Sequence, residues 1–253
     1  MKTAILFVTH IYNEDIKRQI VKLYEETKDF ATLYVGFQAD KVRITLPEGI
    51  RSFPFTVNEL NRLGYRSWGC TLMDGNFHFV MLDFYLKHTG CDYYWLIEYD
   101  VRFNGDWKNY FEFFADKDDD FISAHIGDFS GDTRWTRWKE IELVNIKLNH
   151  KMLLRSFNPI CRISNRALAL GHERCKLGDR GHYEVLLPTL FKYFKLKISD
   201  FGGNGRFIYT GCSGLFYTDD PNDVCGDKCT HRFRPAHTEG EMALSGMIYH
   251  PVK

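Results

Sequence analysis

Two carboxylates, Glu98 and Asp100, close a hydrophobic segment at residues 93–97. Aromatic and apolar residues fill this segment, which predicts a buried β-strand. Residues two apart on a strand point to the same side, so both carboxylates would project together. A divalent cation such as Mn²⁺ or Mg²⁺ relieves the repulsion and the lost hydration of two buried carboxylates. The alternative is an ion pair of Glu98 with Arg102 or a lysine, and a turn capped by Asp100.

Strands and helices that alternate along the chain would position this pair. Apolar segments predict the strands, which are 4–12, 31–38, 42–46, 51–57, 92–100, 120–127, 160–164, 196–201 and 206–211. Amphipathic segments predict the helices, which are 13–28, 74–90, 106–115, 165–175 and 182–194, the last interrupted by Pro188. The alternation indicates an α/β fold with a mostly parallel central sheet and helices on both faces. In such sheets ligands bind beyond the carboxyl ends of the strands.

Composition narrows the class of protein. Lys and Arg together number 33, as do Asp and Glu, which gives no support for broad binding to nucleic acid. The 253 residues, 44% of them hydrophobic, suffice for a sizeable core. No apolar run has transmembrane length, and we expect no signal peptide at the first strand. Seven scattered cysteines favour reduced thiols, so we expect a protein that is cytoplasmic or peripheral at the inner membrane.

The acid pair and its neighbours resemble a known family. The E-Y-D sequence after a hydrophobic strand looks like the DxD-type motif of GT-A-fold glycosyltransferases, most closely of a bacterial nucleotide-sugar transferase group. The resembling segments are DGNFH (74–78), YYWLIEYDVRFNGDW (93–107), PICRISNRAL (159–168), GHYEVLLPTL (181–190) and YHPVK (249–253). The resemblance implies a single GT-A-like (Rossmann-like) domain over 1–253. Its donor-binding half would be 1–127 and its acceptor and catalytic half 128–253.

The implied activity is transfer of a sugar from a UDP- or GDP-linked donor to a glycan or lipid-linked acceptor. The enzyme would be metal-dependent, inverting and hexosyltransferase-type, acting in surface polysaccharide synthesis. Two rival functions remain open. A sugar nucleotidylyltransferase should carry a Gly-rich loop after the first strand, and VTHIYNED (8–15) has no glycine. A non-catalytic glycan-binding domain would have no need of a metal at Asp100.

The resemblance also implies a set of metal ligands. Asp100 matches the last acid of the DxD motif, whereas Glu98 departs from the family's first Asp. His250 resembles the C-terminal histidine that completes the metal site in many GT-A enzymes, and Lys253 would meet a donor phosphate. The alternative for His250 and Lys253 is a frayed terminus, which is the usual fate of the last residues of a chain.

Glu184 is the candidate general base, because an inverting transferase needs a group that accepts the acceptor's proton. The family often places an acid near the start of a helix that follows a glycine-containing loop. The alternative is an ordinary first-turn acid favoured by the helix dipole. His182 is the substitute base and an acceptor-binding candidate, or else a loop residue.

Other candidates carry less specific signals. Polar or basic residues near strand ends and loops are the donor-binding candidates, namely Thr9, His10, Tyr12, Arg66, Asn76 and His78. For each, the alternative is a side chain that packs within the protein or faces solvent without binding the donor. Trp135 and Trp138 would form an acceptor-binding lid, or they fold inward as part of a surface loop. Four ligands of the kinds that zinc prefers lie close in sequence and are a candidate structural zinc site, namely Cys225, Cys229, His231 and His237.

Overall fold

The computed structural model describes residues 1–218 and 228–253. Its strands are β1 (Thr3–Thr9), β2 (Ala31–Gln38), β3 (Arg51–Phe55), β4 (Tyr93–Glu98), β5 (Arg102–Phe103), β6 (Phe121–Asp128), β7 (Ile141–Glu142), β8 (Leu154–Ser164), β9 (Arg180–Gly181), β10 (Ile198–Asp200) and β11 (Ile248–Tyr249). Its α-helices are α1 (Glu14–Thr27), α2 (Val57–Asn61), α3 (His78–Lys87), α4 (Trp107–Phe113), α5 (Asn165–Leu177) and α6 (Tyr183–Tyr193).

Among the described residues, seven strands form the central sheet, in the order β3–β2–β1–β4–β8–β6–β10. β1 pairs in parallel with both β2 and β4, and the β2–β3 and β6–β10 pairs are also parallel. β8 runs antiparallel to its two neighbours, β4 and β6. The prediction of an α/β fold with a mostly parallel sheet is confirmed. β4 lies between β1 and β8, so the strand that carries the carboxylates is central.

Helices cover both faces of the sheet. Alternate residues of the central strands point to opposite faces, as the pleat of a strand requires. One face packs against α1 and α4 through Ile5, Phe7, Trp95, Ile97, Ile16, Ile20, Trp107 and Tyr110. The other face packs against α3, α5 and α6 through Leu6, Val8, Leu96, Phe84, Leu168 and Leu190. Burial on both faces explains the nearly unbroken apolar run of β4.

Helix starts follow their capping signals. The side chain of Asn13 accepts a hydrogen bond from the backbone N–H of Ile16, so α1 begins where the acids of its first turn predict. Ser164 caps α5 in the same way through Ala167. α5 ends at Gly178, whose φ of 112° is the left-handed conformation that glycine adopts without strain.

Several predicted elements differ from the structure. Residues 42–46 form no strand, and residues 206–211 contribute only an isolated bridge between Asp200 and Ile208. The segment 74–90 is not one helix closed by Gly90. A π-turn at Leu72–Asn76 precedes α3, because Gly75 adopts a φ of 107°, outside the helical region.

Two further boundaries depend on tertiary packing. β8 starts at Leu154, well before the predicted residue 160, because its extra length pairs with β6. α6 continues through Pro188, which was expected to interrupt it. A proline there removes only the bond to the carbonyl of Glu184, and the helix keeps a buried apolar face.

Cys70, Cys91, Cys161, Cys175 and Cys212 are free cysteines, as expected for reduced thiols, and Cys225 lies outside the described residues. No helix within 1–218 or 228–253 combines the length and apolarity that a bilayer crossing needs.

Candidate active site

The carboxyl end of the central strand presents both acids. Glu98 is the last residue of β4 and pairs in register with Val8 of β1, while Asp100 lies in the turn that follows. Asp100 is 7% exposed and Glu98 is half-buried. Arg102 does not pair with Glu98, since its guanidinium contacts Asp15. The ion-pair alternative with Arg102 is therefore wrong.

His250 joins the two acids from the far end of the chain. Its Nε2 atom lies 3.5 Å from Oδ1 of Asp100. One ligand atom from each of Glu98, Asp100 and His250 lies within 4.8 Å of the others. Across 1–218 and 228–253, no other three His, Cys, Asp or Glu side chains converge in this way.

The C-terminal segment is docked, not frayed. Ile248 of β11 pairs with Phe103 of β5, and the backbone N–H of Val252 donates to the carbonyl of Asp100 at 2.9 Å. On the other side, the N–H of His250 donates to the carbonyl of Thr230 at 2.9 Å. Backbone hydrogen bonds on both sides therefore hold His250 beside the carboxylates.

The ring of His250 has a defined orientation. Its Nδ1 lies 2.7 Å from the carbonyl oxygen of Arg232, which can only accept a hydrogen bond, so Nδ1 carries the proton. Nε2 is then the ring nitrogen that faces Asp100, whose buried Oδ1 has no hydrogen-bond partner among the described residues. A ring nitrogen beside a carboxylate oxygen calls for a proton or a metal cation between them. Metal-binding histidines donate their second ring nitrogen to a carbonyl in this manner, so the residues fit a divalent metal.

The charges of the two acids differ. Burial raises the pKa of Glu98 to about 7, and the nearby carboxylates of Asp100 and Glu184 add to the rise, while His250 opposes it. Burial also acts to raise the pKa of Asp100, but His250 and Lys253 outweigh it and hold that pKa below its usual value. Asp100 is thus a carboxylate at neutral pH, and Glu98 is poised to lose its proton when a cation arrives.

Glu184 faces the same region from α6. Its side chain is 13% exposed and lies 3.6 Å from Nδ1 of His182. Burial raises the pKa of Glu184 to about 8, whereas Arg137 and Arg155 oppose this rise. A carboxylate with a pKa near neutrality is a stronger base than a solvated one and is still partly ionised.

Tyr183 links Glu184 to the metal-ligand candidates, and sequence analysis missed it. Its hydroxyl donates to Oε1 of Glu98 at 3.4 Å, and its chain neighbour is Glu184. Only its position beside Glu184 could have indicated this contact.

His182 caps α6. Its Nδ1 accepts a hydrogen bond from the backbone N–H of Glu184 at 3.3 Å. Burial lowers the pKa of His182 to about 3, with Arg137 and His78 adding to the decrease. The ring is therefore neutral at pH 7.

The donor candidates from β1 lie at its carboxyl end, next to β4. The Thr9 hydroxyl is buried and bonds to the backbone of Ile11. The exposed His10 ring meets Tyr99 edge-on, with 4.7 Å between the ring centroids. The hydroxyl of Tyr12 donates to the carbonyl of Thr45.

The remaining donor candidates are engaged within the protein. The Asn76 amide bonds to the backbone of Trp68 and Thr71, which ties loop 68–71 to the π-turn. His78 is buried in α3, and burial lowers its pKa to about 3. Arg66 lies 3.3 Å from the carbonyl of Gly178 and 3.6 Å from Glu142.

A cavity of about 400 Å³ lies beside the turn after β4. It contains three cationic and two acidic side chains, and the residues lining it are Asp15, Arg18, Arg102, Glu239, Val252 and Lys253. Lys253, the candidate for a donor phosphate, therefore borders an open space close to Asp100.

The tryptophans pack inward. Trp138 is 5% exposed, and its indole N–H donates to the carbonyl of Asp132 at 2.7 Å. Trp135 packs against Trp138 with 4.8 Å between ring centroids, and the Arg155 guanidinium lies 5.9 Å from its ring. The structure thus shows the inward-folded alternative at Trp138, whereas Trp135 is half-buried.

The predicted zinc ligands do not converge where the structure describes them. Cys229 and His231 are buried, and Nε2 of His237 lies 2.9 Å from the carbonyl of Thr230. His231 and His237 flank the C-terminal segment through bridges to His250 and Val252, and Cys225 lies outside the described residues.

Neither a protein-family model nor a curated protein matches the chain. Among solved structures, galactosyltransferase LgtC in complex with donor and acceptor sugar analogues has a TM-score of 0.43 at 11% identity, over 79% of this chain and 74% of its own. A putative glucose-1-phosphate thymidylyltransferase from Bacillus anthracis, in complex with a sucrose, has 0.42 at 10%, over 81% and 88%. A 4-diphosphocytidyl-2C-methyl-D-erythritol synthase from Anaerococcus prevotii has 0.42 at 10%, over 82% and 90%.

Proposed function

We propose that the chain is a metal-dependent, inverting glycosyltransferase of the GT-A type. It takes a sugar from a UDP- or GDP-linked donor and transfers it to a glycan or lipid-linked acceptor in bacterial surface polysaccharide synthesis. Residues 1–253 act as one domain, with the donor bound mainly by 1–127 and the acceptor by 128–253. We place the enzyme in the cytoplasm or at the inner membrane surface.

The observation that carries this proposal is the convergence of Glu98, Asp100 and His250 at the carboxyl end of the central strand. Carboxylate oxygens suit Mn²⁺ or Mg²⁺, and His250 would add one imidazole nitrogen to them. When bound, such a cation would act as a Lewis acid toward the diphosphate that leaves the donor sugar. Asp100 holds a negative charge at neutral pH, and His250 presents Nε2 beside it.

Basic side chains complete the proposed donor-binding site. Lys253 and Arg18 line the cavity of about 400 Å³ beside Asp100, where they would attract the donor's phosphates. The Thr9, His10 and Tyr12 side chains lie at the end of β1 that adjoins this region, which supports their assignment to the nucleoside end of the donor.

Glu184 supplies the base. It is partly buried beside the acid cluster, and its charge is one of the causes that raise the pKa of Glu98. A base so placed can take the proton of an acceptor hydroxyl while that oxygen attacks the donor sugar. The proton goes to Glu184, and the bond to the diphosphate breaks. Direct attack of this kind inverts the anomeric centre.

The proposal is tested by incubating the protein with a panel of UDP- and GDP-sugars, with Mn²⁺ or with EDTA. Release of UDP or GDP that requires Mn²⁺ is the expected result, first as slow hydrolysis and faster with the acceptor. Turnover of a nucleoside triphosphate and a sugar 1-phosphate to pyrophosphate would indicate a nucleotidylyltransferase instead. Glycan binding without any nucleotide turnover would indicate the non-catalytic alternative.

A further inference from the structure

We infer that Arg102 is a positioning residue that fixes the turn carrying Asp100 and aligns it with the segment carrying His250. This inference rests on the proposed metal site. Arg102 follows Asp100 by two residues, and its side chain is only 6% exposed.

The guanidinium clamps the backbone on both sides of Asp100. Its Nη1 donates to the carbonyl of Tyr99 at 2.6 Å and to the carbonyl of Val101 at 3.1 Å. These carbonyls belong to the residues immediately before and after Asp100. Because both are held by one planar group, the direction of the Asp100 side chain is set by Arg102.

Asp15 holds the guanidinium in place. Its Oδ2 accepts a hydrogen bond from Nη2 of Arg102 at 2.7 Å. Asp15 lies in the first turn of α1, whose start is fixed by the cap at Asn13. The charge-assisted hydrogen bond between Arg102 and Asp15 therefore ties the turn that carries Asp100 to α1.

The backbone of Arg102 also meets the segment that carries the other ligand candidate. Arg102 pairs with Tyr249 across the β5–β11 ladder, and Tyr249 directly precedes His250. Its side chain thus orients Asp100, while its backbone orients the strand leading into His250. Arg102 thus contacts both the turn that carries Asp100 and the strand that leads to His250.

A lysine cannot reproduce these contacts. The guanidinium presents donors in a rigid fork, and here two of its nitrogens reach three oxygens on different groups. A lysine ammonium is a single point donor on a flexible stem. Arg102→Lys therefore keeps the charge and loses the geometry.

Arg162 offers a matched control. It is 2% exposed and donates to the backbone carbonyls of Phe114 at 2.6 Å, Lys117 at 2.7 Å and Asp119 at 3.2 Å. It lies over the ring of Tyr93, at the amino end of β4, away from Asp100. Arg162→Lys thus removes the same kind of buried clamp without touching the turn.

The experiment measures Mn²⁺ affinity by the electron paramagnetic resonance signal of free Mn²⁺, without nucleotide. We expect Arg102→Lys to weaken Mn²⁺ binding by roughly 10-fold or more, as loss of groups that orient metal ligands does. Arg162→Lys should lower the thermal midpoint and leave Mn²⁺ affinity unchanged. Asp15→Asn, which keeps the guanidinium, should weaken Mn²⁺ binding by a smaller factor and provides the test if Arg102→Lys does not fold.

Unchanged Mn²⁺ affinity in Arg102→Lys, or in Asp15→Asn where the lysine variant does not fold, would overturn the positioning role alone. Equal weakening in Arg162→Lys would overturn it too, because the effect would then follow from general loss of stability. Absence of Mn²⁺ binding by the unmodified protein would overturn the proposed metal site itself and, with it, this inference.

Discussion

Nε2 of His250 lies 3.5 Å from Oδ1 of Asp100, although one residue follows the central strand and the other stands near the C-terminus. Because Nδ1 of His250 is committed to the carbonyl of Arg232, Nε2 is the ring nitrogen that faces the carboxylate oxygen. Two groups with excess electron density do not attract each other unless a proton or a cation lies between them.

His250→Ala should weaken Mn²⁺-dependent binding of UDP or GDP without abolishing it, because water can occupy a vacant coordination position. Deletion of residues 250–253 should weaken this nucleotide binding more than His250→Ala does. The deletion also removes Lys253 and the hydrogen bond from Val252 to Asp100. Titration calorimetry of the two variants gives the comparison. His172→Ala, on α5 and bonded to Tyr65, is the control and should bind like the unmodified protein. Equal affinities for the unmodified protein, His250→Ala and the deletion variant would remove the C-terminal segment from the site.

Glu184→Gln should retain donor binding and lose sugar transfer by roughly 10²-fold or more, because the amide cannot accept the acceptor's proton. Separate measurement of kcat and of nucleotide-sugar affinity distinguishes the two effects. Glu112→Gln changes an exposed acid on α4 and serves as the control. If Glu184→Gln keeps normal turnover, Glu184 is an ordinary first-turn acid of α6.

The stability of the metal-free protein should depend on the charge of Glu184. Its pKa rises to about 8 on folding, so the folded state keeps a proton that the unfolded chain releases above its ordinary pKa of 4.5. The stabilising contribution of the protonated group is full below that pKa and is lost as pH rises toward about 8. Glu184→Gln carries no such charge.

We therefore expect the thermal midpoint of Glu184→Gln, relative to the unmodified protein, to increase between pH 4.5 and 8 in EDTA. Each kcal/mol of difference corresponds to about 2–4 °C for a chain of this size. A difference that stays constant across this pH range would mean that the Glu184 carboxyl is not perturbed.

Gly75→Ala should disturb the start of α6. A Cβ at Gly75 would lie 2.6 Å from the Cα of His182, and the φ of 107° is strained for alanine. We expect a lower thermal midpoint together with lower transfer activity, because His182 caps the helix that carries Glu184. Gly90→Ala is the control, since no atom lies within 4 Å of its Cβ position. Normal stability of Gly75→Ala would show that the π-turn does not support α6.

Local patterns predicted the parts of the fold that depend on local physics. The cap at Asn13 and the apolar spacing of Ile16 and Ile20 determine α1, and burial on both faces makes β4 recognisable. The antiparallel direction of β8 was not predictable, because it depends on which strand its apolar residues meet after folding. The π-turn at Gly75 likewise depends on close packing against His182.

The site was predictable only in part for the same reason. The spacing of Glu98 and Asp100 predicted a shared direction within one strand, whereas Asp100 lies in the turn after β4, and family resemblance singled out His250. No local pattern indicates that Arg102 reaches Asp15, or that Tyr183 contacts Glu98. These contacts join residues far apart in sequence, and the shifted pKa of Glu184 arises from burial that only the folded chain creates.

The central claim is that Asp100 anchors a divalent cation that binds the donor diphosphate. Its most direct test is calorimetric titration of UDP and GDP into the unmodified protein and into Asp100→Ala, each with Mn²⁺ and with EDTA. We predict that the unmodified protein binds one of the two nucleotides in a Mn²⁺-dependent manner, and that Asp100→Ala loses this dependence. Nucleotide affinity that is the same with Mn²⁺ and with EDTA in the unmodified protein would contradict the account.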